Sequence, residues 1–153
     1  MKRTIITAVL ICILSFVVSC SNCDENTTPY SKYEIPTDVM IETPDNQILV
    51  INSKDDFEKY FKNCASSTRP DTKLELPEVN FQKYTLIYVQ GVSTHGIAKL
   101  GSSLDTTNHD KILSINIELD LTCVMQRWNV AYLINKEEKP NIKLQFHIVE
   151  TSL

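Results

Sequence analysis

The chain has 153 residues, 42% of them hydrophobic and 22% charged, a balance that fits one globular domain around one core and excludes a wholly disordered chain. Its formal net charge is −4, with 15 basic against 19 acidic residues and no basic face, which argues against nucleic acid as a partner. No internal repeat or low-complexity tract suggests a solenoid or a fibre.

Met1, Lys2 and Arg3 lead into an apolar run from Ile5 to Val18, interrupted by Thr7 and Ser15, which is the pattern of an export signal. A membrane span needs about 20 apolar residues, and this run is shorter. It closes on Val17-Val18-Ser19-Cys20, which resembles the lipobox of bacterial lipoproteins, where a small residue precedes the cysteine that becomes the acylated N-terminus. The resemblance implies a signal peptide over 1–19, lipid attachment at Cys20 and contact with a membrane through that lipid. The polar stretch that follows carries Pro29 and Pro36 and no apolar period, so 20–37 is expected to be a flexible tether and 38–153 a single domain. The acidic pair Asp24-Glu25 resembles the export signals of surface lipoproteins of Bacteroidetes and implies the cell envelope, at the outer membrane, on its surface or its periplasmic face.

With Cys12 in the leader and Cys20 lipidated, Cys23, Cys64 and Cys123 remain. Cys23 falls in the tether. In an exported protein, Cys64 and Cys123 form either a disulfide or two buried thiols packed as small hydrophobes.

Within the domain, Val39 to Glu42 and Ile48 to Ile51 flank Thr43-Pro44-Asp45-Asn46, whose turn chemistry predicts an opening hairpin. Ser53 is placed to cap a helix with Asp55 and Asp56 in its first turn, and Phe57, Tyr60, Phe61 and Cys64 make one apolar stripe, so a helix is expected over about 54–64. Ala65 to Asn80 holds Pro70 and Pro77 and no usable period, and reads as a long loop. Thr85 to Val89 is β-branched and aromatic and predicts a buried strand, with Ile97 to Leu100 as its return strand and Ser102 to Asp110 as a polar connection. From Lys111 to Leu121 apolar residues alternate with polar ones, the mark of a half-exposed strand; Trp128 to Ile134 is apolar on both faces, which suits a central strand with Trp128 in the core. Ile142, Leu144, Phe146 and Ile148 alternate with Lys143, Gln145 and His147, and this last strand is expected to form a hairpin with the one before it. These elements predict an α+β domain, a mostly antiparallel sheet curling toward a barrel with one packed helix.

All three glycines, Gly91, Gly96 and Gly101, fall in one window. Glycine serves where a backbone needs positive φ or a close approach, so Gly91 and Gly96 are expected to bracket a presented loop, Val92, Ser93, Thr94 and His95, as the candidate binding site. That loop lacks the Lys-Ser/Thr of a phosphate loop. His95, His109 and His147 stand at no metal-ligand spacing from one another or from a cysteine, and Cys123, which with His95 or His147 could form a thiol nucleophile pair, is far more often packing or a disulfide in such a position near a strand end. No catalytic set, metal or cofactor is expected.

The succession VINSKDDFEKYF, LPEVNFQKYTLIYVQG and WNVAYLINK is similar to small lipoproteins of Bacteroidetes and, more loosely, to the C-terminal domain of PrcB-type protease-complex proteins. In size and architecture alone the chain also resembles the staphostatin inhibitors of bacterial cysteine proteases. What these resemblances imply is a non-enzymatic, lipid-anchored protein-binding module whose partner is a protein, with a protease to be inhibited or docked as the first candidate. The contrasting expectation is a structural or assembly lipoprotein that pairs a sheet edge with a larger envelope component.

Overall fold

The computed structural model describes residues 30–37, 39–62, 64–66, 69–73, 75–106 and 110–150. The proposed leader, Cys20, Cys23 and His109 lie outside the described residues. Three layers stack. The middle one is an antiparallel sheet in the order β1-β8-β5-β2, formed by β1 (Tyr30–Lys32), β2 (Leu49–Ile51), β5 (Tyr84–Ser93) and β8 (Gln126–Asn135). One outer layer is a second sheet, β6-β7-β9, formed by β6 (Ile97–Thr106), β7 (Lys111–Leu119) and β9 (Ile142–Glu150). The other holds helix α1 (Lys54–Phe61) and an irregular strap through Tyr33, Ile35, Val39 and Ile41, which pack in one cluster with Leu86 and Tyr88.

The expected class holds: strands dominate, most pairs are antiparallel, and one short helix packs on a sheet. Closure does not. Both sheets remain open and separate, so the described residues form no barrel. Strands β5 and β8 bury both faces, as their unbroken apolar runs require. Ile87 and Val89 face the second sheet with Trp128, Val130 and Tyr132, against Leu104, Leu113, Ile115 and Ile117.

Crowding in the middle sheet explains two strands that go elsewhere than expected. Strand β5 already has β2 and β8 as neighbours, so β6 is not its return strand but crosses to the second sheet and pairs with β7, extending through Thr106. Strand β8 is likewise flanked by β1 and β5. The last two strands therefore form no hairpin, and β9 runs parallel to β7.

The opening hairpin is absent as well. Val39 and Ile41 point inward, but past the Tyr33 N–H, which donates to the Ala131 carbonyl of β8 at 2.9 Å, the strap is met by side chains rather than by a neighbouring strand. The Gln90 carboxamide accepts from the Ile41 N–H at 3.0 Å and donates to the Ile41 and Thr43 carbonyls at 3.1 and 2.9 Å. Asn129, opposite Gln90 across the β5–β8 pair, donates to the carbonyls of Pro36 and Val39 at 2.8 and 3.0 Å. Two buried amides thus stand in for a ladder and satisfy backbone groups that burial would otherwise leave unpaired. The strap also corrects the domain boundary. Tyr30 to Lys32 pairs with β8, and Tyr33 and Ile35 are core, so the fold begins at or before Tyr30 and the segment 30–37 is no tether. Both cores, with the residues packed on them, draw on Tyr30 to Leu144, so a chain starting at Ser21 keeps all of them.

Helix α1 begins where its cap predicts. The Ser53 hydroxyl oxygen accepts from the Asp56 N–H at 3.0 Å. The helix ends at Phe61, three residues short of Cys64, and the expected long loop contains a short hairpin, β3 (Ala65–Ser66) with β4 (Arg69–Lys73). Cys64 and Cys123 are free thiols, which removes the disulfide alternative. The Cys64 thiol donates to the Tyr60 carbonyl at 3.0 Å and burial pushes its pKa up, so it is not poised as a thiolate. Cys123 is exposed rather than a core thiol.

Burial acts on two tyrosines. It pushes the Tyr33 phenol up to about 12, and the Tyr88 phenol rises further, with Cys64 and Asp45 adding to the effect. A group whose folded pKa is raised contributes stability that is whole below its unfolded pKa, about 10 for tyrosine, and is lost as pH climbs toward the folded value. The melting temperature is therefore expected to fall as pH rises from about 10 toward 12, less steeply in Tyr33→Phe. A variant as alkali-sensitive as the parent would contradict this.

Candidate functional site

Strand registers bring one set of strand ends together. Ser93 at the end of β5 faces Gln126 at the start of β8, and Leu119 at the end of β7 lies between Ile97 of β6 and Glu150 of β9. This end carries seven of the eight exposed large hydrophobic residues among those described: Val92, Leu121, Val124, Met125, Phe146, Ile148 and Val149; Tyr84, at the start of β5, is the exception. Met125 is 75% exposed and Ile148 61%, values far from those of a core. Tyr30, to which the preceding chain is joined, pairs with Ile134 at the opposite end of β8.

Between the two sheets the same end opens into a groove of about 390 Å³. Trp128 and Phe146 line it, their rings edge to face with centroids 6.0 Å apart. Ile117, Leu119 and Ile148 supply the side from the second sheet, and Val92, Ser93, Thr94 and Asn46 the other. The groove is an unfilled extension of the inter-sheet core, apolar within and polar where Ser93, Thr94 and Asn46 meet water. Such a shape receives an apolar side chain.

The expected binding loop is partly here. Val92, Ser93 and Thr94 reach the groove, but Gly91 lies inside β5 opposite Trp128, and the connection to β6 is only Thr94 to Gly96. No described glycine has positive φ. Gly91 is required because a Cβ there would run into the Trp128 ring and stand 2.7 Å from Asn46 Oδ1; at Gly96 it would meet the Asp120 carboxylate and the Thr122 hydroxyl. A Cβ at Gly101 would meet nothing closer than 3.7 Å, and nothing in the structure explains that glycine.

The turn is braced. Gly96 donates to the Thr122 carbonyl at 3.0 Å and accepts from the Asp120 N–H at 2.9 Å. The Asp120 carboxylate accepts from the Thr122 hydroxyl and N–H, which hold its pKa below the usual carboxylate range. His95 is exposed, its N–H donating to Ser93 Oγ at 3.1 Å, and its ring stands beside the Thr94 hydroxyl. His147 lies exposed on β9. Among the described residues no group of three or more His, Cys, Asp or Glu could hold a metal ion, and no helix is long and apolar enough to cross a membrane.

Sequence reasoning missed Leu121, Val124, Met125, Phe146, Ile148 and Val149 as surface. One signal was present: the segment DLTCVM joins two strands with apolar residues where a connection ordinarily carries polar ones. No protein-family model, curated protein or solved structure matches the chain.

Proposed function

We propose that this chain is a lipid-anchored, non-enzymatic module of the bacterial envelope that binds a protein partner through its apolar end. The observation that carries this reading is a groove at the end remote from Tyr30 lined by three exposed large hydrophobic residues, Val92, Phe146 and Ile148, with Leu121, Val124, Met125 and Val149 exposed at the same end. Apolar surface left in water is unfavourable by roughly 25 cal/mol per Å², and a contiguous patch rimmed by polar residues is the usual mark of a partner site. A lipid on Cys20 would place the attachment at one end and leave the apolar end facing outward. A protease is the first partner class to test, for inhibition or docking.

Two measurements bear on this. Cys20→Ala is expected to abolish palmitate incorporation and release the protein from membranes; a variant that still incorporates palmitate would remove the anchor from the proposal. For binding, the chain from Ser21 is used to capture proteins from an envelope extract, beside Met125→Glu and Ile148→Glu. Both sites are exposed, so melting should stay within about 0.5 kcal/mol of the parent. Partner affinity should fall about thirtyfold or more for the more central of the two. Recovery of the same partner in equal yield by all three proteins would sink the assignment of this end as the interface.

A further inference from the structure

We propose that β9 receives an extended segment of a partner protein as an added strand, with a large apolar side chain of that segment entering the groove over Trp128; this rests on the reading of the apolar end as a binding face. Among the described residues β9 has β7 on one side and no strand on the other. The Lys111 N–H donates to the Asn141 carbonyl at 3.1 Å, and Lys111 registers with Ile142. In a parallel ladder alternate residues turn both backbone groups to the same neighbour, so Leu144, Phe146 and Ile148 turn theirs to the open side.

In the two packed sheets, the other three edge strands are shorter or interrupted near one end. Strands β1 and β2 have three residues each, and β6 carries a register irregularity between Ile97 and Lys99. Short length and bulges are the means by which sheets avoid pairing with other chains. Strand β9 has nine residues, no proline, and charges only at Lys143 and Glu150, toward its ends. Its open edge also runs along the groove through Phe146 and Ile148. Backbone groups that need partners therefore lie beside an apolar cleft that needs side chains, and an extended peptide supplies both.

Other occupants fit less well. The ten residues from Cys20 to Pro29 reach about 33–36 Å when fully extended, roughly the length of a ten-residue strand such as β8. Starting from Tyr30 at the far end, a lipidated tether would have no length left for pairing. In a second copy joined through antiparallel β9 strands centred on Phe146, Lys143 would face Val149 and Gln145 would face His147, with no opposite charges matched. Each inward side chain would already belong to its own sandwich, and both grooves would stay open.

The test uses the chain from Ser21 and synthetic nine-residue peptides with phenylalanine or valine at every second position and threonine or lysine between. Trp128, the single tryptophan, reports binding by fluorescence. Alternating peptides are expected to bind at least tenfold more tightly than scrambled ones of the same composition. N-methylation of alternate residues should weaken binding at least tenfold in one set of positions, the edge that pairs, and little in the other. Equal effects of the two methylated sets, or no preference for alternation, would overturn strand addition. If Met125→Glu or Ile148→Glu nevertheless abolishes partner capture, the binding-face reading survives that failure; if neither does, both fall. Sedimentation of the chain alone as a dimer disrupted by Ile148→Glu, or flotation with phosphatidylethanolamine–phosphatidylglycerol vesicles lost in Met125→Glu, would also overturn the proposal in favour of a second copy or a lipid surface.

Discussion

Trp128→Ala should destabilise the domain by about 3–5 kcal/mol, much of the 5–15 kcal/mol that holds a domain of this size together. The indole is 2% exposed, covers Gly91 on the neighbouring strand and meets Phe146 of the second sheet edge to face, so its removal opens the inter-sheet core into the groove. The same contact makes Gly91→Ala costly, because the added methyl and the ring cannot share that space. The two sites should couple. Gly91→Ala in a Trp128→Phe background should cost less than in the parent, since the smaller ring yields room. Thermal melts of the four proteins measure this, and additive effects would contradict the packing described.

Gln90→Ala should be almost as damaging, at about 2–4 kcal/mol. One side chain answers the Ile41 N–H, the Ile41 and Thr43 carbonyls and the Tyr88 hydroxyl, all within or beside a buried layer. Truncation leaves several of these without partners, and a lost partner costs about 1–3 kcal/mol when the group it leaves behind stays buried. The strap should loosen before the rest of the fold. Hydrogen exchange is expected to quicken at Ile41 and Asn46 while β7 remains protected; uniform acceleration through both sheets would mean that the strap does not depend on this amide.

These two positions mark what the sequence does and does not disclose. Strand β7 is legible because one face is buried and the other is not, and β8 because its apolar residues fall on both faces, as a strand covered by the strap and helix on one side and the second sheet on the other demands. The helix start is legible from Ser53. Periodicity says that a segment is extended but not which strand it joins, and for β6 and β9 the answer depended on both flanks of β5 and β8 being occupied. The strap was hidden because its partners are two side chains distant in sequence, Gln90 and Asn129, whose residue types are ordinarily surface ones. Gly91 and Gly96 lie at the end that carries the groove, there for close packing and not for positive φ. Phe146 and Ile148 alternate like buried residues, yet they lie where β9 overhangs the groove and nothing described covers them fully.

The most direct measurement places a photo-reactive phenylalanine analogue at Ile148, and separately at Tyr84 at the opposite end, in the full-length protein inside the native cells. Irradiation should yield a discrete adduct with another protein from position 148 and none from position 84. Adducts from position 84 alone, or the same adduct in equal yield from both, would contradict a partner site at the apolar end.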